Sequence, residues 1–194
     1  MAEHFGLPDV PGDMLKFKKI KNYLTADLPT CTIGVVGKYF DVSDAYKSLN
    51  EALFHAGIQN NVHVKVKKIN AEKFSEEECK DVDGILIPGG FGTRGVEGKI
   101  AAAGYARKNN IPFMGICLGM QVSVIEFMRN VVGVGDANSS EFSKNCTPVI
   151  DIMSDCDTGN MGGTLRLGAY PCDIKPGTLA ERIYGASHIS ERHR

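Results

Sequence analysis

Short apolar segments alternate with helix-patterned segments along most of this chain, and this alternation restricts the fold more than any other feature. Four segments predict strands, three as continuous apolar runs and one by alternation: Cys31–Gly37, Val62–Val66, Gly84–Ile87 and Phe113–Ile116. Strands that alternate with helices pair in parallel and are covered on both faces. We therefore expect an α/β fold with a mostly parallel sheet, and ligands at the carboxyl ends of its strands.

Helical spacing of apolar residues fills the gaps between these strands. We expect helices over Tyr46–Ala56, Ile100–Lys108 and Leu118–Arg129, with Gly57 as the C-cap of the first. Weaker strand signals follow near Pro148–Met153 and Gly163–Leu167.

Composition excludes several classes of protein. The chain has 194 residues, a formal net charge of −1 and no Trp, so neither a nucleic-acid surface nor an anionic membrane is indicated. It shows no signal peptide and no apolar run near the ~20 residues of a membrane span. Its six cysteines form no CxxC pair, so we expect neither zinc nor a disulfide framework, and a reducing, cytoplasmic setting.

The segment Gly115-Ile-Cys-Leu-Gly119 has the form of a nucleophile elbow, with Cys117 in the nucleophile position between a predicted strand and a predicted helix. The tight turn needs small flanking residues, and a helix N-terminus favours a thiolate over a thiol. The backbone N–H of Leu118 is then a natural oxyanion donor. On these five residues alone, a buried structural cysteine that ends a core strand is the alternative.

A glycine-rich loop, Pro88–Gly95, follows the third strand. Its glycines match the dinucleotide fingerprint, but that fingerprint requires an acid near the end of the next strand, and none lies between Glu97 and Glu126. We therefore expect a loop of exposed N–H groups beside the elbow, in which Gly90 supplies a second oxyanion donor.

A base for the thiol is not evident. The histidines are His4, His55, His63, His188 and His193, and none is followed by a carboxylate in the H-x-E spacing that orients an imidazole.

Several segments together resemble a known family. Gly115–Gln121 is similar to the elbow of the class I (triad) glutamine amidotransferases, whose fold is a flavodoxin-like three-layer α/β/α sandwich. Within that group, four further segments resemble the CTP synthases: Gly37–Tyr39 with Asp44–Ser48, Pro88–Ile100, Asp136–Phe142 and Gly162–Gly168. The resemblance runs from Thr30 to Arg194.

The resemblance implies glutamine hydrolysis through a thioester on Cys117, with ammonia passed on for the ATP-dependent amination of UTP to CTP in pyrimidine biosynthesis. Leu118 and Gly90 would hold the oxyanion. The residues implied to line the glutamine pocket or oxyanion hole are Gly90, Phe91, Leu118, Gly119, Met120, Gln121 and Glu141. Glu141 suits the α-ammonium group of the substrate.

The same resemblance implies how the domains are organised. Residues 1–30 would be a linker from a synthetase domain, and residues 31–194 an amidotransferase domain that stops before the family's His-x-Glu segment. We expect no cofactor in this domain, with ATP and Mg²⁺ in the synthetase domain of the same polypeptide and GTP as an activator. The isolated domain should be monomeric and the whole enzyme a homo-oligomer. Without a His-x-Glu segment, we expect hydrolysis at least about a hundredfold slower.

Two alternatives remain at this point. One is a catalytically incomplete domain of the same fold that binds glutamine or a partner protein without turnover. The other is a different hydrolase or peptidase with a cysteine elbow, because fold and elbow alone do not fix the chemistry.

Overall fold

The structure, a computed structural model, describes residues 3–6, 8, 13–42, 44–152 and 168–193. It divides into two compact units, Met1–Asp151 and Ile152–Arg194. The strand predicted over Gly163–Leu167 lies outside the described residues, as does nearly all of the Gly162–Gly168 segment.

The first unit is built on a four-stranded parallel sheet with the order β2-β1-β3-β4. Its strands are β1 (Thr30–Gly37), β2 (His63–Asn70), β3 (Gly84–Ile87) and β4 (Phe113–Gly115). The registers pair Thr30 with His63, Ile33 with Gly84 and Ile85 with Phe113. All four predicted strands are thus present, and β3 is buried along its whole length.

Helices cover both faces of this sheet. The first crossover, α2 (Lys47–Asn60), leads from β1 outward to β2, whereas α3 (Val96–Lys108) leads from β3 in the opposite direction to β4. Because parallel crossovers are right-handed, these two helices lie on opposite faces. Helix α4 (Leu118–Phe127) packs against α3, and its last turn widens into a π-helical turn over Met128–Val132. The predicted α/β sandwich with a mostly parallel sheet is confirmed.

The core lies between the sheet and the pair α3 and α4. Its fully buried members come from strands and helices alike: Val36, Ile69, Ile87, Ala102, Leu118, Val122 and Ile125. Two 3-10 turns, Ala71–Lys73 and Glu76–Cys79, replace a helix in the connection from β2 to β3. Gly98 of α3 packs so closely that an added Cβ would collide with the carbonyl oxygen of Ala71.

The predicted C-cap at Gly57 is wrong. Helix α2 continues to Asn60 and ends at Asn61, which adopts the left-handed conformation with φ 54°. Gly57 is instead a buried contact, because an added Cβ would lie 2.7 Å from both the Tyr23 hydroxyl and the Val62 carbonyl oxygen.

The N-terminal part forms a 3-10 turn over Glu3–Phe5 and a helix, α1 (Leu15–Thr25). Tyr23 is the buried residue of α1, and its hydroxyl donates a hydrogen bond of 3.2 Å to the Val62 carbonyl. Phe17 and Leu24 are more than half exposed, in keeping with a largely solvated helix.

Two short strand pairs complete the structure. In the first unit, β5 (Ala137–Ser139) pairs in parallel with β6 (Thr147–Ile150), where the strand near Pro148 is predicted. The second unit is an antiparallel pair, β7 (Gly168–Asp173) with β8 (His188–His193), joined through α5 (Leu179–Tyr184).

Candidate active site

Cys117 occupies a sharp turn between β4 and α4 and is the N-cap residue of that helix. Its backbone angles are φ 54° and ψ −108°, a combination that residues with a Cβ rarely adopt. A close approach explains the two flanking glycines. An added Cβ at Gly115 would lie 2.4 Å from the Gly119 carbonyl carbon, and one at Gly119 would lie 2.1 Å from the Ile87 carbonyl oxygen. The cysteine is exposed, as a nucleophile elbow requires and a buried structural cysteine would not be.

The first turn of α4 presents backbone N–H groups beside this thiol. The N–H groups of Met120 and Gln121 donate to the Cys117 carbonyl, at 3.0 and 3.1 Å. The N–H of Leu118 has no acceptor within the described part of the chain. A free N–H at a helix N-terminus, next to a thiol, is suited to bind an oxyanion.

The glycine-rich loop after β3 lies against the elbow. A Cβ built at Gly89 would be 3.4 Å from the Cβ of Cys117, and one at Gly90 would be 3.8 Å from the Leu118 side chain. The Gly90 N–H, like that of Leu118, lacks an acceptor among the residues that the structure describes. The structure therefore places Gly90 close to Leu118, the other residue whose N–H group the sequence singles out. Phe91 follows Gly90 on the loop and is 47% exposed.

Glu141 reaches the same loop from the segment after β5. Its Oε1 accepts a hydrogen bond of 3.1 Å from the Gly92 N–H, and its own N–H donates to the Ser139 hydroxyl oxygen at 3.2 Å. Because Ser139 is buried, this second hydrogen bond fixes the backbone of Glu141, and the Glu141 carboxylate lies against the loop. Met120 and Gln121 lie on the first turn of α4, the former exposed and the latter half-buried.

Two buried lysines beneath this loop are missed by the sequence reasoning. Lys38, just after β1, donates from Nζ to the Phe91 carbonyl at 2.6 Å. Lys99 of α3 has no exposed surface, and its Nζ lies 3.4 Å from the Pro88 carbonyl oxygen. Burial, and then the charge of Lys38, lower the pKa of Lys99 to about 8, while a charge on Cys117 acts in the opposite direction.

The histidines give a mixed result. In the first unit, a ring nitrogen of His63 lies 3.1 Å from the Ala26 carbonyl, and its ring contacts Tyr23, so it serves the packing of α1. In the second unit, Nδ1 of His188 lies 2.6 Å from an oxygen of Asp173. The H-x-E rule overlooks this pair because the two residues are 15 positions apart and meet only through the hairpin register.

Other groups in the described residues are structural by their surroundings. Burial raises the pKa of the Cys79 thiol to about 11, which makes it a poor nucleophile. Within the described ranges, no group of three or more His, Cys, Asp or Glu side chains could hold a metal ion. The helices described are also too short or too polar for any of them to cross a membrane.

The fold and this arrangement define a class: an α/β protein with a cysteine at a strand-to-helix elbow and a glycine-rich loop beside it. Residues 41–194 match the family described as "Glutamine amidotransferase class-I", and the chain belongs to that family.

Comparison with individual proteins is more specific. The chain is 48% identical to the CTP synthase of Maricaulis maris over 98% of its own length, and 46% identical to that of Methanocaldococcus jannaschii over 100%. It spans 38% of the length of each of these relatives. Among solved structures, it resembles the glutaminase domain of Trypanosoma brucei CTP synthase with bound acivicin, with a TM-score of 0.72 and 43% identity. That match covers 84% of this chain and 66% of the other.

Proposed function

We propose that this chain is the glutamine-hydrolysing part of a CTP synthase, with Cys117 as its nucleophile. The observation that carries the proposal is the exposed elbow cysteine beside two N–H groups that lack acceptors, in a chain of which 98% aligns with a CTP synthase at 48% identity.

The chemistry follows from that arrangement. The Cys117 sulfur attacks the side-chain carboxamide carbon of L-glutamine, and the carbonyl oxygen becomes an oxyanion between the N–H groups of Leu118 and Gly90. The carbon–nitrogen bond then breaks, and nitrogen leaves as ammonia after gaining a proton. Water attacks the thioester that remains, and glutamate and the free thiol are regenerated.

The rest of the pocket selects the substrate. Glu141 would offer a carboxylate to the α-ammonium group, since Oε1 accepts from the Gly92 N–H and Oε2 accepts no hydrogen bond from the described residues. Phe91, Met120 and Gln121 would line the glutamine pocket, and Gly119 permits the close packing of α4 on β3. No cofactor takes part in these steps.

The larger activity belongs to the whole polypeptide. We expect residues 1–30 to lead from a synthetase domain that uses ATP and Mg²⁺ to activate UTP and receives the ammonia. GTP would stimulate glutamine hydrolysis, and the whole enzyme would be a cytoplasmic homo-oligomer. Residues 31–194 would be the amidotransferase domain.

A second candidate is a domain that binds glutamine without turnover. It is favoured by the described histidines of the first unit, since His63 bonds Ala26 after α1, His55 is exposed on α2, and the ring of His4 contacts Phe5 in the N-terminal turn. A base for Cys117 must then come from elsewhere in the polypeptide, and without it the thiol would bind substrate but turn over slowly.

Labelling separates these candidates from a peptidase. A stoichiometric amount of an electrophilic glutamine analogue such as acivicin should modify Cys117 alone among the six cysteines, as read by peptide mass spectrometry. A peptide-like electrophile at the same concentration should label it far more slowly, and Cys117→Ser should abolish the adduct. Labelling spread over Cys31 and Cys172 would refute the proposal. Ammonia release from glutamine then distinguishes turnover from binding alone.

A further inference from the structure

Two lysines hold the two ends of the short loop that carries Gly90. Nζ of Lys99 donates to the Pro88 carbonyl and Nζ of Lys38 to the Phe91 carbonyl. A lysine thus forms a hydrogen bond with the backbone on each side of Gly89 and Gly90. The two lysines are 0% and 7% exposed respectively, and neither forms a salt bridge with a carboxylate in the described residues.

Such a pair is unusual because a buried cation is costly unless an opposite charge or several hydrogen bonds compensate it. Two buried cations near each other add mutual repulsion, and Lys38 does lower the pKa of Lys99. An uncharged side chain at either position would pack at less cost. The positive charge therefore needs a reason beyond packing, and the nearest anion that the chemistry creates forms at Cys117.

The peptide group between Phe91 and Gly92 is hydrogen-bonded on both sides. The Phe91 carbonyl oxygen accepts from Lys38 at 2.6 Å, and the N–H of that peptide, on Gly92, donates to Glu141 at 3.1 Å. The plane of this peptide is thus fixed from both ends. Since a Cβ built at Gly89 would lie 3.4 Å from the Cβ of Cys117, a loop fixed at Pro88 and at Phe91 has little freedom to move Gly90 relative to Cys117.

We propose that Lys38 and Lys99 are positioning residues for thioester formation, which hold the Pro88–Phe91 loop so that the Gly90 N–H meets the oxyanion formed at Cys117. Their charge also favours the negative charge that develops there. The inference rests on the proposed glutamine chemistry and adds to it the residues that keep the oxyanion site assembled before substrate arrives.

The test compares two reagents for the same thiol. Iodoacetamide needs only the thiolate, whereas a diazoketone analogue of glutamine places a carbonyl oxygen at the oxyanion site. Second-order rates of Cys117 modification by both are measured for the wild type, Lys38→Met and Lys99→Met, with the exposed Lys80→Met as the matched control. Lys80 forms a surface ion pair with Glu77 and touches nothing in the site.

We expect each buried-lysine variant to lower the ratio of diazoketone rate to iodoacetamide rate at least about tenfold, since one oxyanion donor is worth roughly 10²–10³ in rate. Lys80→Met should leave the ratio unchanged. Lys38→Arg, which keeps a cation and donors, should retain most of the wild-type ratio, and Lys99→Met tests the inference independently if Lys38→Met folds poorly.

An unchanged ratio in both variants overturns the inference alone. If that ratio stays unchanged while both rates fall equally, the lysines act only on the stability of the fold. A wild-type protein that reacts no faster with the glutamine analogue than with a peptide-like electrophile would instead refute the proposed function itself.

Discussion

Replacing Gly119 by alanine should destabilise the protein, although alanine is the better helix former. Gly119 is the second residue of α4, and an added Cβ there would lie 2.1 Å from the carbonyl oxygen of Ile87 and 2.9 Å from its carbonyl carbon. These are backbone atoms of the buried strand β3, so no side chain can rotate to relieve the overlap.

The magnitude follows from two opposing contributions. Alanine gains up to about 1 kcal/mol over glycine in a helix. A carbon and an oxygen normally approach no closer than about 3.2 Å, so α4 must move by roughly 1 Å away from β3. Leu118 and Val122, which anchor α4, are at most 1% exposed and leave no room for that shift. Overpacking of a tight core costs ~1–3 kcal/mol and occasionally more, and the backbone contact places this site at the upper end. We expect a net loss of about 2 kcal/mol in the free energy of unfolding.

Chemical denaturation with a constant m-value measures this loss. Gly135→Ala is the matched control, because no atom lies within 4 Å of its added Cβ and its change should stay within ~0.5 kcal/mol. Labelling of Cys117 by acivicin should also slow, since the shift moves the Leu118 N–H. A Gly119→Ala protein as stable as the wild type, or more so, would show that α4 does not pack on β3 as described.

Three further predictions concern charged groups. Glu141→Gln should weaken the binding of a glutamine analogue about tenfold or more, because a charge-assisted hydrogen bond is lost. Iodoacetamide labelling of Cys117 should change little. Unchanged affinity in a binding titration would contradict the role of Glu141. The pKa of Lys99 is depressed from 10.5 to about 8 on folding. The unfolded state thus binds more protons between these values, and the stability of the wild type relative to Lys99→Met should rise by up to about 3 kcal/mol as pH increases through that window. A flat difference would argue against a buried amine. Arg107→Met should cost ~3 kcal/mol at neutral pH because Glu126, 2% exposed, keeps its charge without the guanidinium. The hydrogen bonds from Arg107 hold the pKa of the Glu126 carboxyl below its usual range. The difference in stability between the wild type and Arg107→Met should therefore shrink as pH falls through that pKa. Thermal melts at several pH values measure this.

The parts of the site that sequence predicts are those imposed by local geometry. Gly115 and Gly119 flank Cys117 because the turn brings backbone within reach of any Cβ, and that requirement is visible in five consecutive residues. The strand signals are equally local, because β1, β3 and β4 are short apolar runs and β2 alternates apolar with polar residues.

The lysines of the loop could not be predicted in this way. Lys99 lies in an alanine-rich helix, where a lysine is normally taken for a solvated residue. Lys38 reaches a carbonyl 53 positions further along the chain, and no periodicity encodes such a contact. The C-cap prediction at Gly57 failed for a related reason. Glycine is required there because the Tyr23 hydroxyl packs against it, which is a tertiary contact, and not because a helix ends there.

The backbone conformation of Cys117 has an evolutionary consequence. A residue with a Cβ at φ 54° and ψ −108° costs the fold ~1–3 kcal/mol, which glycine would not. In a relative that no longer needed the thiol, substitution of Cys117 by glycine would increase the free energy of unfolding, because glycine adopts this backbone conformation without strain. Stability and reactivity therefore compete at this one position, because a substitution by glycine that relieves the backbone strain also removes the sulfur.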